Sequence, residues 1–434
     1  MRLETLRCYV QARGSSAWAR VREIGFLKAA ARLGVHLGSL LLGLLLAPLG
    51  LVLHLAGFRR LTFITARVGH LAAEPDCFLK ARALGELPER RWFYLAPADR
   101  VTNASLGSYW SALIPTLRNP LACRAVAGMS ALGLLRHDTT DYVLAYDRAA
   151  QIYRIQKSWG NRPPLLSLTP EDAAWGAESL RALGLPPRAW FVCVHAREGG
   201  FAPHDEAVQR YRNSDILSRL PALREIVARG GWCIRMGGAN VPPLPEAPGV
   251  VDYAHHPLRS ERLDVVLCAQ ARFFLGDSSG LALVSSAFGR PSLLVNMVPF
   301  AALGVLPFDL SIPKLYRHRR EGRLLRFDEI LGTPAASYRF AEQFERAGIE
   351  LVENSPEEIR EAALELLDRP EGLWTACPED ERLQRRYFSL QGPRDYGFGA
   401  ASRVGAAFLR KYRHLLPPDD AISLEAAGCE ESRQ

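Results

Sequence analysis

The stretch WFVCVHAREGG, residues 190–200, decides how the chain is read. Five apolar residues in a row ending on a histidine describe a strand buried on both faces, the pattern of a parallel sheet covered by helices. The run breaks at Gly199 and Gly200 and leaves His195 and Arg197 just past it, two positions apart and so on one side of the strand. A core strand needs no cations at its end. In an open parallel sheet, however, ligands bind beyond the carboxyl ends of the strands, and there such side chains have a use.

The same pattern recurs outward from this point. GWCIRMGG (231–238) predicts a second strand that ends on Arg235, Gly237 and Gly238. ARFFLGDSSG (271–280) predicts a strand and a turn holding Asp277, Ser278, Ser279 and Gly280, with a helix (LALVSSAFG) and another strand (PSLLVN) behind it. Helical patterns at 214–230 and 261–270 and a short strand VVDYA (250–254) fill the intervals. In TPEDAAWGAESLRALGLPPR (169–188), Thr169 is placed as N-cap and Pro170 at the first helical position, while Gly184 and Pro186-Pro187 end the helix. The proline-rich NRPPLLSLTP (161–170) before it reads as a linker.

Upstream, RLTFITAR (60–67) predicts a strand, VGHLAAEPD (68–76) a glycine-bearing turn, CFLKARALGEL (77–87) a helix and RWFYLAP (91–97) a strand. Strands alternating with helices in two tandem blocks predict an α/β fold of two Rossmann-like domains facing each other across a cleft. The expected boundaries are a basic, apolar N-terminal segment at 1–59, a first domain at 60–165, a second at 166–380, and C-terminal helices and tail at 381–434. Within that tail AASRVGAAFLRKYRHLL (400–416) predicts a basic amphipathic helix.

Composition narrows the class of function. At 434 residues the chain exceeds one ordinary core, and its net charge of +8 is spread along its length. That surplus favours anionic partners without choosing among nucleotides, phosphoglycans, acidic lipid and nucleic acid. The arginines fall at strand ends and not in a stripe mixed with aromatics, which counts against nucleic acid. Cys8, Cys77, Cys123, Cys193, Cys233, Cys268, Cys377 and Cys429 are scattered singly, with no CxxC pair and no metal-ligand spacing. They read as reduced thiols of a cytosolic protein, and no metal is expected.

One segment departs from this. Residues 33–58, LGVHLGSLLLGLLLAPLGLVLHLAGF, contain no charged side chain, and both flanks are basic: Arg20, Arg22, Lys28 and Arg32 before, Arg59, Arg60 and Arg67 after. Two basic flanks suit both ends lying on the cytoplasmic face. Pro48, near the middle, removes a helical hydrogen bond and bends the chain. The expectation is a segment that dips into one leaflet and returns or lies in the interface. A single crossing and a buried helix hairpin of a soluble protein are the alternatives. The implied location is the cytoplasmic face of the inner membrane, peripheral or monotopic.

The strand-end groups share one chemistry. A helix starting near Ser278 or Ser279 points free backbone N–H groups and two hydroxyls at a ligand, an arrangement suited to phosphate, although an ordinary serine N-cap has the same sequence. Arg197 and Arg235 add planar guanidinium forks that match phosphate oxygens. An ion pair of Arg197 with Asp277 is the structural alternative.

The VHARE motif is similar to the His-x-Arg motif of fucosyltransferases with the GT-B fold, in which the arginine contacts the donor diphosphate. More broadly, the blocks ARVGHLAAEPDCFL, WFVCVHAREGGF, YRNSDI, GGWCIRMGG and ARFFLGDSSGLALVSSAFGRPSLLVN resemble, in the same order, a family of bacterial glycosyltransferases associated with glycan assembly. The resemblance covers roughly residues 60–415, and its last block is the most specific. It implies a GT-B enzyme moving a sugar from a nucleotide-sugar donor to a glycan or lipid-linked acceptor, with 60–165 the acceptor domain and 166–380 the donor domain. His195, Arg197, Arg235, Gly237, Asp277, Ser278, Ser279 and Gly280 would line the donor site, with no cofactor beyond the donor. The family more often carries an asparagine and a glutamate near EPD, where this chain has Glu74 and Asp76. The base that accepts the acceptor proton therefore stays open among Glu74, Asp76, His70, Glu198 and Asp205. An epimerase-like or other GT-B-like enzyme, and a protein that binds anionic lipid or nucleic acid, are the competing readings.

Overall fold

The computed structural model describes residues 26–137, 150–199, 206, 208–331 and 333–417. Asp205, Arg20 and Arg22, Cys8 and Cys429, named above, lie outside the described residues, as do the side chains of Lys28 and Arg32. The chain forms a mixed α/β fold built on parallel sheets and groups into two compact units.

The smaller unit takes the described residues of Met1–Thr62, Glu89–Arg100 and Ser111–Asp138. It begins with helices α1 (Phe26–Leu45) and α2 (Ala47–Leu55). Its four-stranded sheet is made of β1 (Phe58–Leu61), β2 (Arg91–Leu95), β3 (Thr116–Leu117) and β4 (Arg136–His137), in the order β3-β2-β1-β4 and parallel throughout. Val126, Met129 and Leu135 form its buried core, with Leu46, Leu53, Phe58 and Phe93 packed against them. Pro48 stands at the start of α2, and the apolar stretches Leu33–Leu45 and Ala47–Leu55 meet at 65°. Among the described residues no single helix is long and apolar enough to cross a membrane.

The larger unit takes Phe63–Pro88, Val101–Trp110 and the described residues from 150 onward. In chain order its first helices are α3 (Val68–Ala83), α4 (Ala104–Ser111, all but its last residue), α5 (Ala150–Trp159) and α6 (Pro170–Ala182). Thr169 caps α6 as the sequence predicts, its side chain accepting from the Asp172 N–H at 3.1 Å.

There follow β5 (Phe191–Val194), α7 (Leu220–Ala228), β6 (Trp232–Arg235), β7 (Val250–Val251), α8 (Glu261–Gln270), β8 (Phe274–Gly276), α9 (Gly280–Ala287), β9 (Ser292–Met297) and β10 (Leu310–Pro313). A two-stranded antiparallel ribbon, β11 (Leu315–His318) and β12 (Ile349–Val352), stands apart, and β13 (Arg403–Val404) returns to the main sheet. That seven-stranded sheet runs β13-β10-β9-β8-β5-β6-β7, all parallel. Counted from β5 this is the doubly wound order 3-2-1-4-5-6 with one strand added, and the winding reverses between β5 and β8.

Two local expectations are corrected. VGHLAAEPD is the start of α3, not a turn: the helix begins at Val68 and carries Pro75 in its interior. The expected tail helix is shorter, because Arg403 and Val404 pair with Leu310 and Ser311 as β13 before a helix forms at Ala406–Lys411.

Candidate functional site

In doubly wound sheets the crevice opens where the winding reverses. Here that point lies between the ends of β5 and β8, the two places from which His195, Arg197 and the Asp277–Gly280 turn emerge. The adjacent strands set the spacing: Val194 is in register with Leu275, and the His195 N–H donates to the Leu275 carbonyl at 2.9 Å.

Asp277 is a fully buried clamp. Its Oδ2 accepts from the Arg197 backbone N–H at 2.7 Å and from the Ser214 hydroxyl at 2.8 Å, and its Oδ1 accepts from Arg219. The Arg219 guanidinium, itself fully buried, also donates to Ser214 Oγ at 2.7 Å, the Asp215 carbonyl at 2.5 Å and Ser218 Oγ at 2.9 Å. The suspected side-chain pair of Arg197 with Asp277 is thus a backbone contact, and Arg219 supplies the counter-charge. Sequence reading missed Arg219; its one signal is an arginine inside the apolar run ILSRLPALREI.

With its N–H held, Arg197 turns its guanidinium to Asn213 Oδ1, and Nη1 lies 3.7 Å from Glu206. Arg212, immediately before Asn213 in the chain, donates to the Ser278 carbonyl and fixes the peptide that leads into α9, while its Nε is buried with no hydrogen-bond partner. Lys314, buried just past β10, donates to the Asn213 carbonyl at 2.6 Å. The turn after YRNSD is capped by Asp215, which accepts the Leu217 N–H at 2.8 Å and leaves Asn213 and Ser214 for Arg197 and Asp277.

Ser279 is the N-cap residue of α9, yet its side chain makes no capping bond and its Oγ is buried without a partner. His195 Nδ1 is likewise buried and unpartnered. Burial lowers the His195 pKa to about 4; Asp277 opposes the shift, and Arg219, Arg235 and Arg212 reinforce it. At neutral pH this imidazole is uncharged and can donate one hydrogen bond.

The N-terminus of α3 abuts that of α9. A Cβ on Gly69 would lie 2.9 Å from Gly280 Cα, and one on Gly280 would lie 2.8 Å from the Gly69 nitrogen, so only glycine fits at both positions. Arg67, the N-cap of α3, makes no side-chain capping bond either. Two helix starts therefore meet, each carrying roughly half a positive charge, and an anion lying beside the seam would be attracted by both.

On the first turn of α3, His70 Nδ1 lies 2.6 Å from Glu74 Oε1. Glu74 is fully buried, and its Oε2 accepts the Ile64 N–H at 2.8 Å. A carboxylate facing Nδ1 places the proton there and leaves Nε2 with a lone pair, the tautomer a general base needs. Asp76, two residues on, faces away: it is buried and accepts from Lys80 and Gln156, each at 2.8 Å.

The remaining expected groups form a separate cluster. Arg235 is fully buried and spends its guanidinium on Glu198 at 2.7 Å, Asp252 at 2.9 Å and the Pro242 carbonyl at 3.0 Å. Its expected role as a phosphate ligand gives way to an internal one, since two carboxylates already compensate its charge. Glu198 is tied to Arg235, and burial raises its pKa against the pull of that arginine. Gly237 sits in the loop after β6, against Ala254 and Val241. Among the described residues no group of three or more His, Cys, Asp or Glu side chains could hold a metal ion.

No protein-family profile matches the chain, and no curated protein matches it. Two solved structures show partial likeness. The ADP-heptose LPS heptosyltransferase II of E. coli aligns over 55% of this chain and 84% of its own, at 11% identity and a TM-score of 0.36. The glycosyl transferase family 9 protein of Veillonella parvula DSM 2008 aligns over 52% of this chain and 60% of its own, at 14% identity and a TM-score of 0.27.

Proposed function

We propose that the protein is a GT-B-type glycosyltransferase that takes a sugar from a nucleotide-sugar donor. The observation that carries this reading is the convergence, at the winding reversal, of two uncapped helix starts, an unpartnered Ser279 hydroxyl and an unpartnered His195 nitrogen. A diphosphate satisfies all of them at once, and the guanidinium of Arg197 stands on the loop beside it.

In the proposed step the acceptor hydroxyl oxygen bonds to the anomeric carbon of the donor as the bond from that carbon to the diphosphate oxygen breaks. The acceptor proton passes to His70 Nε2, with Glu74 holding the ring. The electron pair left on the diphosphate is stabilised by Arg197, Ser279 and the N–H groups of α9. Among the four candidate bases that lie within the described residues His70 is favoured, because Asp76 and Glu198 are already committed to buried cations and Glu74 has no exposed atom. His70→Ala is expected to lower kcat by about 10²–10⁴-fold, with nucleoside diphosphate affinity unchanged by calorimetry.

The acceptor is a glycan or a lipid-linked glycan, reached from the cytoplasmic face of the inner membrane. Support for this comes from the uncharged 33–58 segment and its basic flanks. Incubation with a panel of nucleotide sugars tests the enzyme reading. Nucleoside diphosphate released only when acceptor is supplied is the expected result. Conversion of the donor without acceptor would favour an epimerase-like enzyme, and salt-sensitive DNA binding with no nucleotide-sugar binding would overturn the reading.

A further inference from the structure

The helices of the smaller unit are inside out for a protein in water. On α1, Leu41 and Leu45 are 67% and 75% exposed, and on α2 Val52 and Leu55 are 62% and 77% exposed. The side of α1 turned to the protein is instead its small one: Gly43 packs on Gly128 of the Pro120–Ala131 helix, where a Cβ on Gly128 would lie 2.9 Å from Gly43 Cα. Close backbone contact through small residues, with leucines outward, is how helices pack in lipid, where burying leucine against protein gains nothing. Leu33–Leu45 rises about 20 Å at 1.5 Å per residue, short of a hydrocarbon core of about 30 Å, and the chain then turns by 65°.

Charge marks the lipid. Over residues 33–62, 89–100 and 111–137 the sequence has eight arginines and two carboxylates. Three of these arginines gather where α2 ends. Arg59 donates to the His54 carbonyl at 2.8 Å, the Arg91 N–H donates to the Gly57 carbonyl at 3.0 Å, and the Arg91 guanidinium lies 5.2 Å from the centre of the Phe58 ring. Arg90 is close enough to Arg59 to lower its pKa, after burial. Like charges held together beside an apolar wedge call for an anion at the depth of a lipid headgroup.

We propose that the α1–α2 pair enters one leaflet as a re-entrant wedge and that Arg59, Arg90 and Arg91 select anionic phospholipid headgroups around it. This rests on the membrane-surface part of the proposed function and names its lipid.

The test is flotation of the full-length protein with vesicles of phosphatidylcholine alone and of phosphatidylcholine mixed with phosphatidylglycerol. Binding to both, tighter to the anionic vesicles, is expected. The combined Arg59→Gln, Arg90→Gln and Arg91→Gln variant should lose that preference, a drop on the order of 10²-fold, while still binding phosphatidylcholine. Leu41→Glu with Leu45→Glu should abolish binding to both. Equal wild-type binding to the two vesicle types would overturn the lipid selectivity and leave the anchor standing. Wild-type binding to neither would overturn both. A preference that survives the triple variant would remove these arginines from the headgroup site.

Discussion

Arg219→Ala is expected to destabilise the protein by about 3–5 kcal/mol, because it strands a buried charge. Asp277 is fully buried, and Arg219 is the charged group that neutralises it. The same carboxylate also holds the Arg197 backbone and Ser214, so losing the arginine loosens the loop after β5 as well as the pair itself. Urea unfolding reads the effect as a lower midpoint at unchanged slope. A loss below about 1 kcal/mol, the range of an exposed pair, would show that solvent reaches Asp277 and that the clamp is not sealed. Replacing both partners, with Arg219→Met and Asp277→Leu, should recover part of the stability because no uncompensated charge remains. Nucleotide binding should not recover with it, since Arg197 would still lack its anchor.

Arg197→Ala carries the second large expectation, a fall in kcat of about 10²–10³-fold, equivalent to about 2.7–4 kcal/mol of lost charge stabilisation in the transition state. The fold should survive. The hydrogen bonds that tie Arg197 to Asp277 and to Ser214 come from its backbone, which alanine keeps. Steady-state turnover together with an unchanged unfolding midpoint separates this result from a folding defect. Turnover close to that of the unmodified protein would exclude Arg197 from the proposed reacting centre. Arg197→Lys should restore little, because an ammonium cannot bridge two phosphate oxygens as a planar fork does.

The strands of the larger unit were legible because a parallel strand buried on both faces leaves an unbroken apolar run, as in FVCV and PSLLVN. The groups at their ends could be named from sequence for the same reason. Their partners could not. Arg235 and Arg197 look equivalent as strand-end arginines, yet one is enclosed by Glu198 and Asp252 and the other by Asn213 and Glu206, contacts set by loops whose paths no periodicity encodes.

Glycine and proline misled the reading at VGHLAAEPD, where each normally signals a turn. Gly69 is there because Gly280 lies against it, and a contact across more than two hundred residues leaves no local trace. Asp76 and Glu74 were indistinguishable as neighbouring acids. Only helical geometry separates them, turning one toward His70 and the other toward Lys80.

The glycine-to-glycine seam between α3 and α9 has a mechanical consequence. Side chains at a contact can rotate and absorb a small displacement; bare backbone cannot. If, as proposed, α9 holds a phosphate, any shift it makes on binding would be handed rigidly to α3, and His70 is the next residue after the seam. On the proposed function, loading of the donor would then set where His70 stands before the acceptor arrives, giving the two substrates a preferred sequence of entry.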